Sequence, residues 1–284
     1  MELKSLFEKC LLLGGDVMIK ILLMSLILFP ALCLSGDYTF AFVPQQSANK
    51  LAKNWQPILD YLSDKTGDNY TFKTAKDIPT FEARVLQQEY DVAYMNPYHF
   101  VVFNERVGYQ AIAKQKDKMI KGIIVVKKGA GITDLSQLRG ETLAFPAPAA
   151  FAASILPRGE LAKQGIEFTP RYVSSHDSVY LNVSRGFVKA GGGVMRTFNN
   201  ADPKIKSQLD ILWTTKGYTP HAFAVKRAMP EDARQRLVAA LTSLELTEEG
   251  MRLLEAVNFK GIMAASNEDW QDVKALELET LVGK

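Results

Sequence analysis

Cysteine is nearly absent from this chain. Cys10 and Cys33 are the only two among 284 residues, and both precede residue 37. A mature chain starting there would hold no disulfide, no thiolate nucleophile and no cysteine-ligated metal. Histidine is almost as sparse, with only His99, His176 and His221. No HExxH and no short-spaced pair occurs, which removes the usual zinc signatures. A G-x-S-x-G elbow is missing as well. The glycines at 191–193 form neither G-x-G-x-x-G nor a Walker sequence, since no lysine follows them. Excess charge of one sign is lacking too: 34 Lys and Arg face 31 Asp and Glu, a formal net charge of +3. The basic residues are scattered among acids, which speaks against nucleic acid as the main partner. No internal repeat or low-complexity tract interrupts the chain.

What is present is material for a sizeable core. Hydrophobic residues make up 47% and charged residues 23%, enough for one large domain or two ordinary ones. The longest apolar stretch runs from Ile21 to Leu34, broken by Pro30 and preceded by Met18 and Lys20. It falls short of the roughly 20 residues a spanning helix needs. A short charged start, an apolar run and small residues before a polar segment have the layout of a secretory signal peptide. Residues 1–36 therefore read as a leader, with Met18 as an alternative start, and the location expected is periplasmic. An uncleaved membrane anchor is the competing reading. Lipidation of Cys33 is another, although Leu32 is bulkier than a lipoprotein processing site prefers.

Beyond the leader, strand and helix signals alternate. Tyr38–Phe42 reads as a buried strand, Pro44–Gln46 as a turn and Ser47 as a helix N-cap. Leu51, Trp55, Ile58, Leu59 and Leu62 follow at helical spacing, and Pro57 admits two short helices in place of one. Gly67 closes the element. Further strands are expected at Tyr70–Thr74, Val92–Met95, 122–127, 142–145, Arg171–Val173, 209–213 and 222–226. Helices are expected at about Thr80–Gln88, Ala149–Gln164 and from the Ser174-Ser175 cap to Gly186. Three more begin near Pro230, Thr247 and Ser266. Strand–helix–strand alternation at this spacing predicts parallel sheets with crossover helices. The two batches predict two lobes: 37–119 for the first, 120–226 for the second, and 227–284 returning to the first.

The pair His176-Asp177 raises the question of catalysis. A nucleophile triad needs its serine, histidine and acid on separate elements, whereas here the two residues are adjacent at a helix start. The expectation is no enzyme, no catalytic residue, no metal and no cofactor. Binding suits the pattern better. Ser174, Ser175 and His176 stand at a helix N-terminus, whose unpaired N–H groups attract anions. Three other candidates also fall where a strand gives way to a helix: Gln45-Gln46-Ser47, Tyr94 with Asn96 and Tyr98, and Pro146–Phe151. In open α/β sheets, ligands gather at such carboxyl ends.

Four stretches together resemble a known family: "FAFVPQQSANKLAKNWQPILDYLSDKTG", "YDVAYMNPYHF", "GIIVVKKGAGITDLSQLRGETLAFP" and "YVSSHDSVYLNVSRGFVKAGGGV". They are similar to the phosphate/phosphite/phosphonate receptors of ABC importers, over residues 38 to at least 230. The resemblance implies an α/β, two-lobed type 2 periplasmic-binding-protein fold with a hinge and a ligand cleft. It implies a small oxyanion or organophosphonate as ligand, a membrane permease as partner, and a monomer. Carried over by position, first-lobe contacts would be Gln46, Ser47, Tyr94 and Asn96. Second-lobe contacts would be Ala149, Ala150, Ser175 and His176. The chain departs from the pattern in "FPAPAAFAAS", which offers no hydroxyl before Ser154, and at Lys189, where many relatives carry aspartate. Alternatives are a sensing module for a membrane kinase, a receptor for a solute without phosphorus, and an enzyme on the same fold.

Overall fold

A computed structural model describes residues 35–278 of the protein. The leader, Cys10, Cys33 and the choice between Met1 and Met18 lie outside the described residues. From residue 36 onward the chain forms one compact unit, built on two sheets.

The first sheet contains β1 (Asp37–Phe42), β2 (Asn69–Lys73), β3 (Val92–Met95), β4 (Gln110–Gln115), β10 (Ala222–Val225) and β11 (Ile262–Ala264), in the order β11-β4-β10-β3-β1-β2. The second contains β5 (Gly122–Lys127), β6 (Thr142–Phe145), β7 (Thr169–Tyr172), β8 (Ala190–Val194) and β9 (Leu209–Thr214), ordered β7-β6-β8-β5-β9. Helices α1 (Ala48–Thr66), α2 (Ile78–Leu86) and α3 (Pro97–Val107) accompany the first sheet. Next come α4 (Leu156–Lys163), α5 (His176–Ser184), α6 (Met195–Asn199) and α7 (Pro203–Lys206). Helices α8 (Glu231–Ser243), α9 (Glu248–Ala256) and α10 (Gln271–Lys274) end the described chain.

Two expectations need correction. The sheets are mixed: β10 runs antiparallel to both β3 and β4, and β5 antiparallel to both β8 and β9. Apolar periodicity reports burial and carries no information about strand direction. The strand at 222–225 also belongs to the first sheet and not to the second. Its antiparallel direction follows from the path, because the chain re-enters that sheet from the other one. Strands β4 and β11 had no counterpart among the expected elements.

Two segments pass between the sheets, 116–121 and 215–221. They are paired midway, with Ile120 and Tyr218 exchanging backbone hydrogen bonds of 2.7 and 3.0 Å. The Gly122 amide donates to Thr215 Oγ1 at 3.0 Å beside them. Two neighbouring crossovers allow the lobes to rotate about one short axis, the arrangement of a hinge.

Packing explains most of the local outcomes. Helix α1 is continuous through Pro57, turning Leu51, Trp55, Ile58, Leu59 and Leu62 inward against Phe40, Phe42 and Phe223. Burial of this apolar face outweighs the one backbone hydrogen bond that proline cannot make. Helices α8 and α9 complete the same core through Leu237, Leu241 and Leu254. Asp68, buried beneath them, accepts from both Nε and Nη2 of Arg236 at 2.8–3.1 Å.

In the second lobe, the glycine run lies within β8. A Cβ at Gly191 would sit 2.4 Å from Val179 Cγ1 on α5. At Gly193 it would sit 2.5 Å from the Tyr180 hydroxyl, and at Gly192 1.8 Å from the Ala153 carbonyl oxygen. These glycines let α5 and the chain at 151–155 lie directly on the strand, a packing role rather than a phosphate loop.

Candidate functional site

The lobes meet through hydrogen bonds that cross from one sheet to the other. The His176 amide donates to Gln45 O at 3.2 Å. Arg196 Nη2 donates to Gln45 Oε1 at 2.6 Å, and Lys50 Nζ to Asn200 O at 2.7 Å. Asn96 Nδ2 reaches Ala149 O at 3.3 Å. An apolar contact joins them, because Ala150–Ala153 share a cluster with Val43, Ile78 and Met95.

At this meeting point lies a small cavity of about 10 Å³. Gln45 and Asn96 line it from the first lobe, Ala150–Ala153 and His176 from the second, and Ile120 and His221 from the crossover segments. That volume admits about one water molecule. Its donors come from an unusual local structure. Residues Phe151–Ile155 form a single π-turn that leads into α4, and Ala150 at its N-cap supplies no side-chain hydrogen bond. The amides of Phe151, Ala152 and Ala153 open the turn, where no earlier carbonyl of the turn can accept from them. Three main-chain donors thus occupy the place where hydroxyls are missing from the sequence.

The turn is held in place by glycine on the strands below it. Besides the Gly192 contact, a Cβ on Gly122 would lie 2.0 Å from the Ala152 carbonyl oxygen. A methyl group there must displace backbone. Gly192→Ala is expected to lower stability by about 1–3 kcal/mol and to weaken anion binding by tilting the turn. Chemical denaturation and calorimetric titration of the variant check the two effects.

His176 is 1% exposed. Burial, with Arg196 adding to it, lowers its pKa from 6.5 to about 3, so the ring is neutral at physiological pH. Its Nδ1 lies 2.9 Å from Thr197 Oγ1. That hydroxyl is also 2.8 Å from the Tyr180 hydroxyl and 3.0 Å from Val194 O. One hydroxyl proton permits two patterns. Thr197 can donate to Val194 O and accept from Nδ1–H, which makes Nε2 an acceptor. Alternatively Thr197 donates to Nδ1 while Tyr180 turns to Val194 O at 3.3 Å, and Nε2–H becomes a donor. Nε2 has no hydrogen-bond partner among the described residues, so it can serve either a protonated or a bare oxyanion oxygen.

His221 is likewise neutral, its pKa held far below the ordinary value by burial first and then by Arg196. It stacks on Tyr94 with ring centroids 5.0 Å apart, and its Nε2 is 2.8 Å from Gln45 Nε2. The amide can only donate, so His221 Nε2 accepts and its proton resides on Nδ1.

The residues singled out in the sequence separate here. His176, Asn96 and Ala150 line the small cavity, and Tyr94 lines a larger one of about 390 Å³ beside it. Asn96 is fully engaged, its Oδ1 accepting from the His99 amide at 2.8 Å to cap α3 while Nδ2 clasps Ala149 O. The Ala149 carbonyl is thereby engaged, and the residue lines neither cavity. Ser47 is exposed at the N-cap of α1, accepting from the Lys50 amide. Ser175 caps α5 in the same way through Ser178, while Ser174 adopts a left-handed conformation at φ 71°. Gln46 is buried with Nε2 unpaired, yet it lines neither cavity. Its neighbour Gln45 holds the central place instead. Lys189 is exposed and also lines neither.

Residues of both lobes thus line the small cavity where the lobes meet. A family model for the periplasmic substrate-binding proteins of phosphonate ABC transporters matches residues 40–270. The chain belongs to this family. As a member, it is a solute receptor of an ABC importer. A curated relative, the phosphate-import protein PhnD of Mycolicibacterium smegmatis, is 20% identical over 228 residues, covering 70% of this chain and 69% of its own. The crystal structure of PhnD1 from Prochlorococcus marinus, in complex with methylphosphonate, superposes with a TM-score of 0.79 at 17% identity. That match covers 86% of this chain and 98% of the other. A phosphonate-transporter binding protein from Pseudomonas aeruginosa also reaches 0.79, at 15% identity, with 86% of each chain covered. These likenesses show the two-lobed periplasmic-binding-protein fold.

Proposed function

We infer that this receptor takes a small phosphorus oxyanion between its lobes and passes it to a membrane permease as a secreted, monomeric periplasmic protein. The observation that carries this reading is the small cavity at the lobe boundary, lined by the first residues of the π-turn, whose amides have no carbonyl of the turn to donate to, and by His176. The relatives support it: one is a phosphate importer and another was solved with methylphosphonate. In this reading the amides of Phe151–Ala153 hold two oxygens and His176 Nε2 holds a third. Because the cavity as packed admits only about one water, the lobes part for entry and close again around the solute. The hydrogen bonds from Gln45, Lys50 and Asn96 would re-form as the closed state is reached. No step of catalysis is required of any residue.

Thermal-shift screening of residues 37–284 against phosphate, phosphite, alkylphosphonates, sulfur oxyanions and small carboxylates tests the assignment. A ligand at a hundred times its Kd stabilises the fold by about 2.7 kcal/mol, which a melting curve resolves. A shift with a phosphorus oxyanion is expected. Shifts with other solutes alone would keep the receptor and discard phosphorus.

A further inference from the structure

The larger cavity, about 390 Å³, has walls that set it apart from the oxyanion pocket. Lys118, Lys121 and Arg196 line it, together with apolar surface from Met119, Ile120 and Met195, and no carboxylate is among its lining residues. Neither lysine's ammonium group has an ion-pair or hydrogen-bond partner among the described residues. Arg196 uses one donor, Nη2, on Gln45 Oε1, and its other N–H groups have no acceptor among the described residues. Ile120, Val194 and His221 line both cavities, so the two spaces share a wall. A molecule with one end at the π-turn would lay its other end here.

We propose that the solute is two-headed: a phosphonate or phosphate group at the π-turn and His176, a short apolar linker, and a second anionic group, such as a carboxylate, paired with Arg196. This rests on the oxyanion reading of the small cavity and adds the class of its tail. A guanidinium offers paired, fixed donors that match a carboxylate. The amide oxygen of Gln45 already occupies one of those donors, in the manner of a neutral substitute for a carboxylate oxygen. Tyr94, stacked on His221, flanks the linker, and the two lysines raise the local potential at the cavity mouth. A solute ending in an ammonium group would meet three cations and no counter-charge, so it is rejected.

Calorimetric titration of residues 37–284 with ethylphosphonate, 3-phosphonopropionate and 2-aminoethylphosphonate reads the tail directly. The carboxylated compound is expected to bind at least tenfold more tightly than the alkyl one, and the amine more weakly than either. Arg196→Gln should reduce the ratio between the carboxylated and alkyl compounds to near one, and Arg196→Lys should restore part of it. Equal affinities in the wild-type protein, or a ratio unchanged in Arg196→Gln, would overturn the two-headed solute while leaving the oxyanion site standing. Absence of binding by all three phosphonates would overturn the two-headed solute, and absence of any thermal shift with phosphate and phosphite as well would overturn the oxyanion site.

Discussion

Replacing His176 with alanine is expected to weaken oxyanion binding at least tenfold, about 1.4 kcal/mol, with the far-ultraviolet circular dichroism unchanged. The buried ring lines the small cavity with Nε2 unbonded by any described residue, and its other nitrogen is fixed by Thr197. Truncation removes a hydrogen bond to a charged group, worth roughly 1.5–3 kcal/mol, and leaves Thr197 and Tyr180 still bonded to each other. Helix α5 begins from the Ser175 cap, which the substitution does not touch. Calorimetric titration with the best phosphorus ligand measures the loss. An unchanged affinity would remove His176 from the site and leave the main-chain amides as the only anchor.

Acidification is the second large effect. His176 titrates near 6.5 when exposed and at about 3 in the closed protein, through burial and then Arg196. A histidine with a lowered native pKa contributes stability that is present above about 6.5 and is lost progressively as the pH falls toward about 3. Across that window the unfolded or opened form binds the extra proton. The slope is about 1.4 kcal/mol per pH unit for each such group, and His221 is shifted in the same direction. Melting temperature should therefore fall steeply between pH 6.5 and 4.5, and His176→Gln should flatten the curve. A flat profile in the wild-type protein would mean that these rings are not buried in solution.

Much of the fold is legible in the sequence because it is written in apolar runs. "FAF", "DVAYM" and "GIIVV" are strands that bury both faces, and their burial does not depend on neighbours being identified first. Helix starts are legible through Ser47 and Ser175, which cap α1 and α5. Strand direction was not, since β5 and β10 look the same whichever way they pair. The site was half legible. His176 stands out as a lone histidine at a capped helix start. Gln45 and Gln46 are chemically identical and adjacent, and only the turn geometry decides that Gln45 reaches the lobe boundary. The amides of Phe151–Ala153 leave no side-chain signature at all. Their one trace is indirect: glycines at 122 and 192, spaced so that a turn can rest on two strands. Arg196 escaped notice because its significance lies in what faces it across the crossover segments, Lys118 and Lys121, some 75 residues away in the chain.

The most direct test is a crystal structure of residues 37–284 with the phosphorus compound that gives the largest thermal shift. The account predicts its oxyanion within hydrogen-bonding distance of the amides of Phe151, Ala152 and Ala153 and of His176 Nε2, between closed lobes. An oxyanion bound elsewhere on the protein, or bound here without contact to His176 and those amides, would contradict it.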